Sequence, residues 1–122
     1  MGKWVANEVL DRALLVLSEA THMMVLDAQP VNYAAATTSA LAQVGVSAAD
    51  FAVSAGDVSG RKVSIAGKND IAIGNSGIAR HVALVDTVGS RLLYVTTCPD
   101  QALTAGGQLS LDPWSVEIGA PL

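Results

Sequence analysis

Between positions 5 and 20 the apolar residues recur at helical intervals. Val5, Val9, Ala13, Val16 and Ala20 fall in one row, and Leu10, Leu14 and Leu17 lie in a second row beside it. The spacing predicts a helix over residues 5–20. Asn7 stands where a cap is wanted, and Glu8 and Asp11 lie near the positive end of the helix dipole. Glu8 and Arg12 form an i, i+4 pair in the favourable order. Leu15 widens the apolar stripe further, so the helix is expected to be sandwiched, or half-covered by a partner subunit.

After Thr21 the period changes from helical to alternating. Met23 to Leu26 is a short apolar run closed by Asp27-Ala28-Gln29-Pro30, and Pro30 cannot continue a central strand. Residues 31 to 40 are small and weakly patterned. The Ala34-Ala35-Ala36 triplet suits a helical turn, but the Thr and Ser that follow favour a crossing loop or an arm. Leu41 to Val46 and Phe51 to Val53 can extend. From Arg61 the alternation is clean: Val63 and Ile65, then a turn at Lys68-Asn69-Asp70, then Ile71 and Ile73, then a turn at Gly74 to Gly77. Arg80–Val85 and Arg91–Thr97 read as a hairpin joined by Asp86-Thr87-Val88-Gly89-Ser90, with Pro99-Asp100 as its stop. Gln108–Leu111 and Ser115–Ile118 complete the set. Seven or so short strands with Gly-rich turns predict a mainly β chain, an antiparallel β-sandwich of immunoglobulin-like or jelly-roll-like type with one N-terminal α-helix. Residues 1–122 form a single domain on this reading.

Composition sharpens the question. Of 122 residues 51% are hydrophobic and only 15% charged, with a net charge of −4. The acidic balance argues against nucleic acid and against anionic lipid headgroups as partners. No apolar run approaches the 18 or so residues of a membrane span; the longest is Ala13 to Leu17. Lys3, Glu8, Asp11 and Arg12 break up the start, so no secretory leader is expected. Cys98 stands alone and cannot form an internal disulfide, which suits synthesis in a bacterial-type cytoplasm. It reads as a small buried hydrophobe, the alternative being a reactive or intermolecular thiol. The apolar surplus then points to self-association or docking on another protein.

Chemistry-bearing patterns are thin. Gly56-Asp57-Val58-Ser59-Gly60-Arg61-Lys62 has three residues between its glycines where a phosphate loop needs four, and Val63 follows the lysine. It reads as a tight turn launching a strand. Gly74-Asn75-Ser76-Gly77 misses the nucleophile elbow by one residue. Ser76, His81 and Asp86 can be written as a triad but lack its context, and His22 and His81 are too few for most metal sites. No catalytic residue, cofactor or metal is expected. Among five aromatics, Trp114 reads as a core plug. Trp4 either staples the start of the helix or anchors the terminus in a neighbour.

The stretch His81-Val82-Ala83-Leu84-Val85-Asp86, then Ser90-Arg91-Leu92-Leu93-Tyr94-Val95-Thr96-Thr97, then Gln101 to Leu111 with its Ala105-Gly106-Gly107 turn, closes with Trp114-Ser115-Val116-Glu117-Ile118. With the N-terminal helix leading into Thr21 to Leu26, and with Asp50-Phe51 and Gly56 to Val63, it resembles small structural proteins of tailed bacteriophages and prophages, over nearly the whole chain. The resemblance implies a non-enzymatic virion protein made in the host cytoplasm. The expected role is a capsid decoration or cement protein, homo-oligomeric and bound to the major capsid protein or other virion proteins. A tail- or fibre-associated module and a glycan-binding β-sandwich are the alternatives. Trp4, Leu15, Val31 and Tyr33 are the interface candidates.

Overall fold

A computed structural model describes residues 2–121. The chain is mainly β and antiparallel throughout. Helix α1 (Asn7–Leu15) runs into a 3₁₀ turn (Val16–Glu19), followed by β1 (His22–Leu26), helix α2 (Tyr33–Ser39) and β2 (Ala40–Gly45). A second 3₁₀ turn (Ala48–Asp50) leads to β3 (Phe51–Ala55), β4 (Arg61–Ile65) and β5 (Lys68–Ala72). The long hairpin of β6 (Gly77–Asp86) and β7 (Arg91–Leu103) precedes β8 (Gln108–Leu111) and β9 (Trp114–Ile118). The strands form three sheets, in the orders β2-β1-β6-β7, β3-β4-β9 and β5-β8.

The four-stranded sheet is the centre of a sandwich. On its inner face Met23, Val82 and Leu84 pack with Phe51, Val63 and Ile65 of the three-stranded sheet. Further along that face Val25, Ala42, Ala79 and Leu103 pack with Ile71 and Ile73 of the two-stranded sheet. Half-buried Val44, Cys98 and Leu111 touch both groups, so the inner core is continuous. On the outer face Met24, Leu26, Ala83 and Val85 are buried with Ala36 of α2, with Tyr33 half-buried beside them. A strand covered on both faces needs apolar residues at consecutive positions, not alternate ones. That is why Met23 to Leu26 and Val82 to Val85 are unbroken apolar runs, and it absorbs part of the compositional surplus.

Three expectations are corrected. Residues 31 to 40 do not form a loop or arm: α2 occupies most of them. Asn32 is its cap, its side-chain oxygen accepting from the Ala35 amide at 2.8 Å, and three alanines follow in the helix. The Thr37 and Thr38 hydroxyls, which weigh against a helix, are accommodated by donating back to the Ala34 carbonyl, each at 2.9 Å. The first helix is shorter than residues 5–20, and Asn7 does not cap it; Ala6 holds the cap position with no side-chain bond, and the last turn tightens to 3₁₀ from Val16. Finally, Pro99 does not end β7. The register with β6 shifts between Ala79 and His81, so Pro99 falls at an irregularity on the outermost strand of the sheet. There its missing N–H breaks no ladder bond. A smaller departure is Asp70, which sits inside β5 at φ 56° where a turn was expected.

The hairpin tip is held by one carboxylate. Buried Asp86 accepts from the amides of Val88 (3.0 Å) and Gly89 (3.1 Å) and from Arg91 Nε and Nη2 at 3.1 and 2.9 Å. The Gly89 amide, then the guanidinium of Arg91, hold its pKa below the ordinary carboxylate value. Asp50 is lowered likewise, first by the Ser47 amide and then by Lys68. A folded-state value below the unfolded one gives stabilisation that is complete above the ordinary aspartate pKa of about 3.9 and is lost as pH falls through the depressed values. Thermal midpoints are therefore expected to drop below about pH 4, and to drop less steeply in Asp86→Asn. Equal acid slopes for the two proteins would remove Asp86 as a source of the effect.

Candidate functional site

The chain's surface is more informative than its titratable groups, most of which are committed to turns and ties between elements. Arg61 pairs with Asp11 at 2.7 Å and fastens α1 to β4; Lys62 pairs with Asp57 at 2.7 Å. The amides of Asp57 and Val58, in the glycine-flanked loop, donate to the Glu117 carboxylate of β9. A carboxylate of the same chain therefore occupies the place a phosphate would take. Ser76, His81 and Asp86 are not brought together. The Ser76 hydroxyl accepts from the Ala105 amide at 2.9 Å, Asp86 is held by Arg91, and His81 stands five residues from Asp86 along β6, on the opposite face. His22 Nδ1 lies 3.0 Å from the Thr21 hydroxyl; His81 Nδ1 is buried without a hydrogen-bond partner among the described residues. No group of three or more His, Cys, Asp or Glu side chains suited to a metal ion occurs among the described residues. No helix of the described residues is long and apolar enough to cross a membrane.

Helix α1 divides its wide stripe. The leucine row, Leu10, Leu14 and Leu17, is buried, with Leu14 and Leu17 in the inner core. The neighbouring row is split: Val9 is 58% exposed, Ala13 is exposed, and Val16, the first residue of the 3₁₀ turn, is 42% exposed, whereas Val5 is half-buried and Ala20 is buried in the inner core. The segment is fixed by the leucine row and Ala20, and presents Val9, Ala13 and Val16. Leu15 is also exposed, on the opposite flank of the buried row. Preceding the helix, residues 2–6 carry no regular structure, and Trp4 is 84% exposed, so it does not staple the helix start.

The four interface candidates do not share one surface. Trp4 and Leu15 belong to the α1 side, where the helix packs toward the inner core. Val31 is exposed in the turn before α2, and Tyr33 is half-buried on the outer face of the four-stranded sheet. That sheet stands between the two pairs.

A third feature carried no signal at the level of single motifs. The second half of β7 and the β8–β9 segment border an open groove of about 880 Å³. Val25, Leu103, Leu109, Leu111 and Trp114 give it an apolar wall, with Asp112 at the β8–β9 turn. Trp114 is half-buried, its ring 6.1 Å from that of Tyr94 and tilted by 31°, so it closes the core on one side and lines the groove on the other. Cys98 also lines the groove; burial, and then Asp100, push its thiol pKa up and keep it protonated at neutral pH. A stop at Pro99 hides the groove, because Gln101, Ala102 and Leu103, in the part of β7 beyond that proline, line it.

Comparison with family models, curated proteins and solved structures finds no match; what these surfaces do is read from their own residues.

Proposed function

We propose that the chain is a non-enzymatic structural protein of a tailed-phage particle, a head-decoration protein that binds the assembled capsid through the exposed row of α1. The observation that carries this is the split of the helix. Val9, Ala13 and Val16 lie on a helix anchored by Leu10, Leu14 and Leu17, so an apolar strip is held rigidly outward at no ordering cost on binding. A monomeric protein gains nothing from such a strip, whereas a subunit docked on a lattice buries it. The strip alone is smaller than the roughly 800 Å² per partner of a stable interface. Many copies on one symmetric particle supply the remainder through avidity. The whole-chain resemblance to small phage structural proteins supports the same reading.

Mixing the purified chain with undecorated heads and sedimenting the mixture tests it. Saturable co-sedimentation at a fixed ratio to the capsid subunits is expected. Val9→Asp with Val16→Asp should weaken it at least about ten-fold, roughly 1.4 kcal/mol. Both positions are exposed, so circular dichroism and thermal midpoint should stay near those of the parent chain. Absence from heads, co-purification with tails alone, or binding indifferent to the double substitution would each overturn the proposal.

A further inference from the structure

We propose that the groove bordered by β7, β8 and β9 receives the N-terminal arm, residues 2–6, of a second copy of this chain. Three sheet edges meet there. Strand β7 is outermost in the four-stranded sheet, β9 is outermost in the three-stranded sheet, and β8 has a neighbour on one side only. All three contribute to the groove's lining. An unpaired edge presents a row of N–H and C=O groups that an added extended segment can satisfy, while pockets between side chains select its sequence. A groove with such edges and an apolar wall suits a short strand carrying one large apolar side chain.

The arm fits that description. Its last residue, Ala6, is extended at φ −66° and ψ 142°, and no backbone amide of residues 2–6 donates a hydrogen bond among the described residues. Fully extended, five residues span about 17 Å, comparable to the five-residue β9. Alternation along an extended chain puts Trp4 on one side and Lys3 with Val5 on the other. Trp4 then faces the wall formed by Leu103, Leu111 and Trp114 while Lys3 points to the rim. Charge agrees with this placement. Neither Lys3 nor Asp112 takes part in an ion pair among the described residues, and Asp112 lies on the groove's rim. In its own copy the arm leaves Trp4 in water, and α1, from which it springs, is fastened to β4 by Asp11 and Arg61. Exchange between copies satisfies the edges and the tryptophan together, and it closes as a dimer or a ring. The inference is independent of capsid binding and is tested on the chain alone, so either can fail without the other.

Cys98 supplies a reporter already inside the groove. Gly2→Cys, on the same side of the extended arm as Trp4 and at a position where an added Cβ meets nothing within 4 Å, mixed as isotopically labelled and unlabelled copies and oxidised, should give covalent dimers or rings on a non-reducing gel. Mass spectrometry should find the disulfide between position 2 and Cys98 joining a labelled to an unlabelled peptide. Adding Cys98→Ser should abolish these species. Sedimentation guards against a thiol pair merely set at a poor angle. Lys3→Glu should weaken self-association about ten-fold or more, and the combination with Asp112→Lys should restore it. A chain that stays monomeric at every concentration overturns the proposal. So do disulfides confined to single copies, cross-links that persist without Cys98, and a charge reversal without rescue.

Discussion

Replacing Leu84 by alanine is expected to lower the free energy of unfolding by about 3–4 kcal/mol, the effect of deleting a large aliphatic side chain from a site that cannot collapse. Leu84 is completely buried. On β6 it lies between Met23 of β1 and Tyr94 of β7, and on the inner face it belongs to the cluster containing Val63 and Ile65. The strands beside it are tied by ladder bonds on both sides, so neighbouring side chains can lean into the vacancy but the sheet cannot close over it. Val9→Ala removes a side chain that is more than half exposed and should cost no more than about 0.5 kcal/mol. Urea unfolding of both variants checks this, with the midpoint shifted and the slope unchanged. A loss below about 1 kcal/mol in Leu84→Ala would mean that the inner face is not closely packed.

The contrast between these two positions marks what the sequence shows and what it hides. Alternation at Val63, Ile65, Ile71 and Ile73, and the hairpin through Asp86, are legible because period and turn chemistry act locally. The two leucine and valine rows of α1 are equally visible, but which of them faces the core is not. That depends on where β4 comes to lie, and Asp11 meets Arg61 across 50 residues. Helix α2 escapes a reading from propensity because two threonines and a serine weigh against it. The Asn32 cap and the completely buried methyl of Ala36 against the outer face of the sheet outweigh them. Pro99 misleads for a related reason. Proline disqualifies a central strand, yet β7 is an edge, and edge status is a property of the sheet and not of the segment. The same holds for the groove, whose three walls come from three sheets.

Apolar content therefore divides by address. Runs such as Met23 to Leu26 serve a sheet covered on both faces. Val9, Val16 and Trp4 serve neither face, and they stay exposed. Hydrophobic percentage cannot separate these uses, whereas the position of each residue relative to the four-stranded sheet does.

Gly60→Ala is expected to destabilise the chain by on the order of 3 kcal/mol or more. A left-handed backbone costs a residue with a side chain roughly 1–2 kcal/mol, and at this position a steric conflict adds to it. Gly60 has φ 69°, and an added Cβ would stand 2.0 Å from the Ile118 carbonyl oxygen and 2.9 Å from the carbonyl carbon of Gly119. Both obstacles are backbone, so relief requires the end of β9 to move away from β4. The surrounding contacts resist that movement. The Gly56 amide donates to the Gly60 carbonyl at 2.9 Å, and the Ser59 hydroxyl accepts from the Ala120 amide at 3.1 Å. Gly106 provides the control: its φ is 91°, but nothing lies within 4 Å of an added Cβ. Gly106→Ala should then show the backbone cost alone, about 1–2 kcal/mol, and the difference between the two variants isolates the contact with β9. Chemical denaturation of both proteins measures it. If Gly60→Ala proved no less stable than Gly106→Ala, the β3–β4 turn would not be wedged against β9, and the three-stranded sheet would lose its closure at that end.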